Sequence, residues 1–336
     1  MGSSRVSVSS SASAAGHMPV LRDEAIAALR PRPGGRYIDG TFGGGGHTRA
    51  LLAAIAPDGV VLALDADPAA IARAEAMRAD LAIGTRLMPV QGNFADMYQV
   101  ALAQGIAPVD GVLLDLGLSS FQLDAPDRGF AFRLDGPLDM RFDPTRGVPA
   151  SELVNTLPEV ELADLIWRFG EEPGSRRIAR AVVRERSSAP VQTTAQLAGI
   201  VERALGGRRG RDTHPATRTF QALRMATNDE LRVLEAALLG AVDVLAAGGR
   251  LAVIAFHSLE DRLVKRFIDR ESAACVCPPE APICVCNHQP RLRKVTRRAI
   301  KPTAGEAAAN PRARSAILRV AERLPAPPAA GSGDHA

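Results

Sequence analysis

Four consecutive glycines, at positions 43–46, most restrict what this chain can fold into. They follow a short apolar segment that ends at Asp39, and they precede a helix-like run at residues 47–55. Glycine lacks a Cβ, so it adopts positive φ angles at little cost and lets a ligand approach the backbone closely. The N–H groups that open the next helix point outward and favour a carboxylate or a phosphate. This strand, glycine loop and helix therefore predict a site for a nucleotide-like cofactor.

The glycine spacing does not fit the dinucleotide fingerprint G-x-G-x-x-G, because Thr48 or Arg49 takes the place of the last glycine. A second apolar run ends at Asp65, roughly 20 residues past the loop, where a carboxylate can accept hydrogen bonds from a ribose diol. Asp39 ahead of the loop and Asp65 after the next strand resemble the pattern of class I S-adenosylmethionine (SAM) methyltransferases. A glycine-rich turn in another kind of α/β protein is the alternative.

Further apolar runs alternate with helix-like segments. The predicted later strands are residues 86–91, 109–114, 250–256 and 316–321. This alternation predicts an α/β fold with a doubly wound, Rossmann-like parallel sheet. Ligands of such sheets bind at the carboxyl ends of the strands, so we expect Asp39, Asp65 and Asp115 at a shared cofactor-binding edge. Phe94, after the third strand, either stacks on an adenine or is an ordinary core residue.

A stretch with a different pattern interrupts the alternation. We expect a discontinuous core, residues 17–120 and 226–323, with an all-helical insertion at residues 121–225. Residues 1–16 are predicted to be a disordered extension or a tag, and residues 324–336 a disordered tail. No apolar run approaches the ~20 residues of a membrane span. Four cysteines without an export signal favour the cytoplasm.

Basic residues point to a nucleic-acid partner, and the sequence pI is about 9.1. An arginine-rich helix at residues 176–186 is usually a solvated face, but a basic loop follows at 208–211 and makes a phosphate-facing surface more plausible than usual. A long helix with an apolar stripe is predicted to open at His214 and to stop at the glycines 248 and 249. Arg218 and Arg224 lie off that stripe and are candidate RNA contacts.

Two C-x-C pairs hold all four cysteines, at Cys275, Cys277, Cys284 and Cys286. Four thiolates could hold a tetrahedral Zn²⁺, although structural zinc sites usually have C-x₂-C spacing. Four reduced thiols in a proline-rich loop are the alternative. Basic residues follow closely, so the loop is also a candidate RNA-facing hairpin, with Arg297 and Arg298 as candidate contacts.

The fifth predicted strand runs into His257 and Ser258. Ser258, with Asp261 three residues later, resembles a helix capping box with Asp in place of Glu. His257 is a candidate proton acceptor or base-contacting residue by the pKa of its side-chain type. A structural histidine at the end of a strand is the alternative.

Seven short segments carry a family resemblance. They are residues 17–21 (HMPVL), 37–43 (YIDGTFG), 113–117 (LLDLG), 136–141 (GPLDMR), 214–221 (HPATRTFQ), 256–262 (FHSLEDR) and 310–315 (NPRARS). Together they resemble the bacterial 16S rRNA cytosine-N4 methyltransferase family, called RsmH or MraW. The resemblance implies methyl transfer from SAM to the exocyclic amine of one cytosine in the decoding region of the small ribosomal subunit. It also implies that the helical insertion recognises the substrate.

The resemblance implies cofactor contacts as well. The matching residues are Gly45, Gly46 and His47 in the loop, Asp65 at the ribose, Phe94 near the adenine, and Asp115 and Gln122 beyond the fourth strand. One departure is Gly44, where relatives often carry a side chain, and we expect it to loosen the loop slightly.

The loop after the fourth strand lacks the Asp/Asn/Ser-Pro-Pro-aromatic turn of many DNA amino-methyltransferases. Residues 115–120 (DLGLSS) take its place. We expect their backbone carbonyls, with Ser119 or Ser120, to accept hydrogen bonds from the amine, while Asp115 contacts the methionine amine of the cofactor or orders the loop. An oxidoreductase and a non-catalytic ribosome-assembly factor are the rival functions, and a homodimer is one candidate assembly state.

Overall fold

Seven strands form a single mixed sheet at the centre of the molecule. The computed structural model describes residues 19–208, 213–278, 280–281 and 283–326; the predicted extension at 1–16, the residues 209–211 of the basic loop and most of the predicted tail lie outside them. The strands are β1 (Arg36–Asp39), β2 (Val60–Asp65), β3 (Leu87–Gln91), β4 (Val109–Asp115), β5 (Leu245–Ala255), β6 (Leu292–Lys294) and β7 (Ile317–Arg323).

The strand order is β3-β2-β1-β4-β5-β7-β6. Strands β1 to β5 are parallel, and β7 lies antiparallel between β5 and β6. The order reverses between β1 and β4, and in doubly wound sheets the ligand crevice opens at the carboxyl ends of the strands flanking such a switch point. The predicted doubly wound sheet is therefore confirmed, with an antiparallel edge.

Helices cover both faces of the sheet. Those in the first part of the chain are α1 (Arg22–Leu29), α2 (Gly46–Ala54), α3 (Pro68–Arg78), α4 (Met97–Ala103) and α5 (Ser120–Asp124). Those in the last part are α10 (Thr217–Thr227), α11 (Glu230–Val244), α12 (Ser258–Glu271) and α13 (Ala304–Ala309). Helices α1, α2 and α3 bury their apolar side chains on one face, and α4, α11 and α12 bury theirs on the other.

Strand β4 shows why the central strands are nearly continuous apolar runs. Val112 and Leu114 point into the core beneath α4 and α11, whereas Leu113 points into the core beneath α1 and α2. Successive side chains of a strand face opposite sides, so a strand covered by helices on both sides buries every one of them. Each fully buried Leu or Val contributes roughly 1.5–3 kcal/mol.

Four of the helices between β4 and β5 follow α5 and precede α10. They are α6 (Ala150–Thr156), α7 (Glu159–Gly170), α8 (Ser175–Arg186) and α9 (Thr194–Ala204). Together with α10 they enclose a separate apolar cluster that includes Val154, Ile166, Val182 and Val201. In α8 the apolar residues are buried and most of the arginines are exposed, as the amphipathic pattern predicts. The domain limits at residues 121 and 225 stay a prediction.

The structure corrects three sequence-based boundaries. The predicted long helix is two helices, because Asp229 has a left-handed φ of 49° between α10 and α11. Helix α11 ends at Val244, ahead of the two glycines that were expected to stop it, and those glycines lie within β5. The three-residue strand β6 was not predicted. No helix of the described part of the chain is long and apolar enough to cross a membrane.

Candidate active site

The carboxyl ends of three adjacent strands form the candidate site. Asp39, Asp65 and Asp115 are the last residues of β1, β2 and β4. Strand β1 pairs with β2 on one side and with β4 on the other, so the three carboxylates belong to one edge of the sheet. This is the edge at which the sequence placed them.

The glycine loop leaves β1 and enters α2. Gly45 has φ +74°, and a Cβ there would lie 2.5 Å from the Met77 methyl group and 2.6 Å from the Phe42 ring. A Cβ at Gly46 would lie 2.3 Å from Pro19 Cγ. Such separations are far inside van der Waals contact, so packing selects glycine at both positions, and at Gly45 the positive φ does so as well. The close approach of a ligand to this backbone stays a prediction.

Asp39 holds the loop in place. It is buried, and it accepts hydrogen bonds from Thr48 Oγ1 at 2.6 Å and from the Thr41 backbone N–H at 3.1 Å. Burial raises the pKa of Asp39, while the Thr48 hydrogen bond and the nearby His47 oppose that rise. Both oxygens are engaged by the chain, so the geometry favours a supporting role over the predicted direct cofactor contact.

The glycine loop also donates a hydrogen bond to Asp65. Its two oxygens accept hydrogen bonds from the backbone N–H groups of Gly43 at 2.7 Å and Asp67 at 2.9 Å. Burial raises the pKa of Asp65 to about 6, against the lowering effect of those two N–H groups. A carboxylate offers about four lone-pair sites, so acceptor capacity is left for a diol.

Buried His47 and partly exposed Asp115 form a pair across the site. His47 Nε2 lies 3.4 Å from Asp115 Oδ2. Burial lowers the pKa of His47, but the carboxylates of Asp115 and Asp39 outweigh it, so that pKa is raised overall. Within the described residues, both ring nitrogens of His47 and Oδ1 of Asp115 are buried without a hydrogen-bond partner. Buried polar groups are nearly always paired, so these atoms mark where a polar ligand would bind.

The loop after β4 is fixed by a capping box. Ser119 Oγ accepts from the Gln122 N–H at 3.3 Å, and Gln122 Oε1 accepts from the Ser119 N–H at 3.0 Å. Gln122 Nε2 also donates to Asp67 at 3.1 Å, and the Ser120 hydroxyl contacts the Arg312 guanidinium. The structure therefore places these predicted residues at the site, with their polar groups already bonded within the protein.

Phe94 lies just past β3, half-buried against the core beneath α4 and α11. Its Cβ is 3.2 Å from where a Cβ of Gly40 would be, so it reaches the end of β1. Both sequence-based interpretations of Phe94, adenine contact and core residue, fit this position.

The sequence analysis did not predict that the side chains of Phe121 and Arg73 pack on the glycine loop. A Cβ at Gly44 would lie 2.9 Å from the Phe121 ring, so the absence of a side chain at Gly44 makes room for that ring. The Arg73 guanidinium stacks 4.2 Å from the ring centroid and donates to the Gly43 carbonyl. The loop is thus braced, although we expected Gly44 to loosen it. In the sequence, only the aromatic Phe121 next to Ser119 and Ser120 could have indicated this contact.

His257 caps α12. Its Nδ1 accepts from the Glu260 N–H at 3.4 Å, and its Nε2 lies 2.9 Å from the Glu260 carboxylate. The prediction that Ser258 and Asp261 form the capping box is wrong: His257 and Glu260 form it, and Asp261 pairs with Arg319 instead. The geometry favours a structural role for His257 over proton transfer.

The four candidate RNA contacts divide into two kinds. Arg224 is largely buried, with 11% of its side chain exposed, and it donates to both carboxylate oxygens of Glu230 at 2.7 and 2.8 Å, with Glu260 at 3.9 Å. An arginine enclosed in this way is not displayed to a ligand. Arg218, Arg297 and Arg298 are exposed, so they stay candidates.

Comparison with known proteins identifies the family. The family model described as the MraW methylase family matches residues 14–324. The chain belongs to the MraW methylase family. It is 59% identical over 308 residues to a protein of Thermomicrobium roseum named ribosomal RNA small subunit methyltransferase H, covering 92% of this chain and 94% of that one. A protein of the same name from Syntrophobacter fumaroxidans is 50% identical, with 93% and 97% covered.

Solved structures similar to this family member share little sequence with it. One is a crystal structure described as a putative rRNA methylase from Clostridium thermocellum, 12% identical, with a TM-score of 0.43 and coverage of 93% and 99% of the two chains. Another is a putative methyltransferase from Streptococcus mutans in complex with SAH, also 12% identical, with a TM-score of 0.41 and coverage of 92% and 100%.

Proposed function

We propose that this protein transfers a methyl group from SAM to the exocyclic N4 of a cytosine in the decoding region of 16S rRNA, within the small ribosomal subunit. The name of the Thermomicrobium roseum relative supports the substrate class. The resemblance of the seven sequence segments supports the exocyclic amine of cytosine as the group that accepts the methyl. We also propose that the enzyme acts in the cytoplasm, and a homodimer stays a prediction.

The observation that carries the proposal lies in the pair of His47 and Asp115 beside the glycine loop: within the described residues, both His47 ring nitrogens and Asp115 Oδ1 are buried without a hydrogen-bond partner. SAM ends in an amino acid, which bears an ammonium and a carboxylate. Asp115 Oδ1 is an acceptor suited to the ammonium, and the ring nitrogens of His47 suit the carboxylate when the ring is protonated. Asp65, at the end of the neighbouring strand, has acceptor capacity for the ribose.

SAM supplies an electrophilic methyl group on a sulfonium. The protein must hold the cytosine amine in line with it, and positioning of this kind can lower a barrier by ~7–11 kcal/mol. The loop from Asp115 to Ser120 lies beside the pair, and its capping box makes it rigid. We propose that carbonyls of this loop accept the amine N–H groups. The Ser119 hydroxyl, already an acceptor within the cap, keeps its own O–H to donate.

On the substrate side, we propose that the exposed Arg218, Arg297 and Arg298 contact RNA phosphates. The target base must leave its stack or lie in an irregular RNA region to reach the edge of the sheet. Residues 121–225 are proposed to form the recognition domain.

Methyl transfer to subunits tests the proposal. Small ribosomal subunits that lack the modification are incubated with SAM carrying a tritiated methyl group, and nuclease mapping locates the label. We expect label on N4 of one decoding-region cytosine. Cofactor binding without label would favour the non-catalytic assembly factor, and nicotinamide binding would favour the oxidoreductase.

The Asp115→Asn variant tests the site itself. Loss of a charge-assisted hydrogen bond of about 1.5–3 kcal/mol should weaken SAM binding roughly ten- to a hundredfold. Asp127→Asn is the matched control, because Asp127 is exposed in the short turn that follows α5 and its side chain makes no polar contact among the described residues. Equal affinity and turnover in the two variants would contradict the assignment.

A further inference from the structure

The loop between α12 and β6 brings all four cysteines of the chain together. Their Sγ atoms lie within 4.8 Å of one another. Three of the separations are 3.4 Å for Cys275–Cys284, 3.6 Å for Cys284–Cys286 and 3.8 Å for Cys275–Cys286. The cysteines are free, and none of these separations approaches the ~2.05 Å of a disulfide bond.

These separations match one particular coordination geometry. Zn²⁺ binds thiolates at about 2.3 Å in a tetrahedron, which sets the sulfur–sulfur edges at about 3.8 Å. Backbone N–H groups also point at the sulfurs: Val276 donates to Cys286 at 3.5 Å, and Cys277 donates to Cys275 at 3.4 Å. Such bonds favour the thiolate form, which is the form that binds metal.

The loop has little else to hold it. Within its described residues the apolar side chains point outward: Val276 is 40% exposed, Ile283 75% and Val285 78%. Among its described residues, contacts with the rest of the chain lie towards its end, where the His288 ring bonds the Arg270 carbonyl at 2.9 Å and Arg291 pairs with Glu271 at 2.6 Å. A segment without a buried core does not gather four thiols by packing, whereas a bound ion would account for their convergence.

We propose that Cys275, Cys277, Cys284 and Cys286 bind one structural Zn²⁺, which holds this loop as a rigid hairpin. All four positions of the tetrahedron are filled by protein ligands, as in structural rather than catalytic zinc sites. The site lies at the far end of α12 from the carboxyl end of β5, roughly 20 Å along a helix of this length. It is therefore separate from the cofactor site and does not depend on the proposed reaction.

The test measures zinc and thiols in the full-length protein purified without chelators. We expect about one Zn per chain by elemental analysis, and four thiols that react with a mercurial reagent only as that zinc is released. Because these are the only four cysteines in the sequence, every thiol signal reports on this loop. Four freely reactive thiols without metal, or disulfides without metal, would overturn the proposal.

The Cys277→Ser variant gives an independent readout. We expect it to lose at least tenfold in zinc affinity against a competing chromophoric chelator, while its SAM affinity stays at the wild-type value and shows that the chain is folded. Val285→Ser is the control within the same loop, since that side chain is exposed and offers no ligand. It should retain one Zn. Equal zinc affinity in the two variants would refute the four-thiolate site.

Discussion

Replacing Thr48 by Val removes one hydrogen bond and almost nothing else. Thr48 is fully buried, and its hydroxyl donates to Asp39 at 2.6 Å, a distance typical of a charge-assisted bond. Valine has nearly the same shape, so the loss is that of a hydrogen bond to a buried carboxylate. We expect the free energy of unfolding to fall by about 1.5–3 kcal/mol near pH 8.

The pH dependence identifies Asp39 as the cause. Burial raises the pKa of Asp39 above its unfolded value, so its protonation stabilises the folded state at low pH and that contribution is lost as pH rises through the folded pKa. Without Thr48 the pKa rises further, because the ionised form loses a donor. The deficit of Thr48→Val should therefore be smaller at acidic pH than near pH 8.

The assay is urea unfolding followed by circular dichroism at both pH values. Thr219→Val is the matched control: Thr219 is also buried, but its hydroxyl finds no hydrogen-bond partner among the residues that the structure describes. We expect Thr219→Val to leave the free energy of unfolding unchanged or to raise it slightly at either pH. The reasoning fails if the two variants are equally stable near pH 8, or if the deficit of Thr48→Val does not change with pH.

Three further results are expected. Arg224→Ala leaves the buried Glu260 and the largely buried Glu230 without their cation and should cost about 3–5 kcal/mol in urea unfolding. Arg218→Ala should leave stability unchanged and weaken RNA binding in a salt-dependent titration. SAM affinity, measured by calorimetry, should rise as pH increases through about 6, because Asp65 must be ionised to accept hydrogen bonds from the ribose. The Asp65→Asn variant should lose that pH dependence. Gly46→Ala forces its Cβ into the Pro19 ring, so its melting temperature should fall; an unchanged value would show that Pro19 moves freely.

The sequence predicted the central sheet well because buried parallel strands are apolar on both faces. The strand ends at Asp39, Asp65 and Asp115 agree with the structure for the same reason: a carboxylate marks the point where the strand leaves the core. Strand β6 escaped prediction since it is three residues long and two of them, Arg293 and Lys294, are exposed and charged.

The other features that the sequence did not predict depend on contacts between residues far apart in the chain. The apolar stripe continues across Asp229, so periodicity alone could not show that the chain turns there. His257 takes the capping position from Ser258 because Glu260 is buried beside it, and Arg224 is enclosed by carboxylates from two other elements. Such pairings depend on tertiary packing, which residue spacing does not encode.

The position of the helices between β4 and β5 has a consequence during synthesis. Strand β4 ends at Asp115 and β5 begins at Leu245, so about 130 residues must be translated before the nascent chain can cover the open edge of β4, which takes roughly ten seconds at typical rates. An unpaired strand edge is a template for wrong pairing. The intervening helices have an apolar cluster of their own, so we expect them to bury apolar surface among themselves as they emerge, before the edge of β4 is covered.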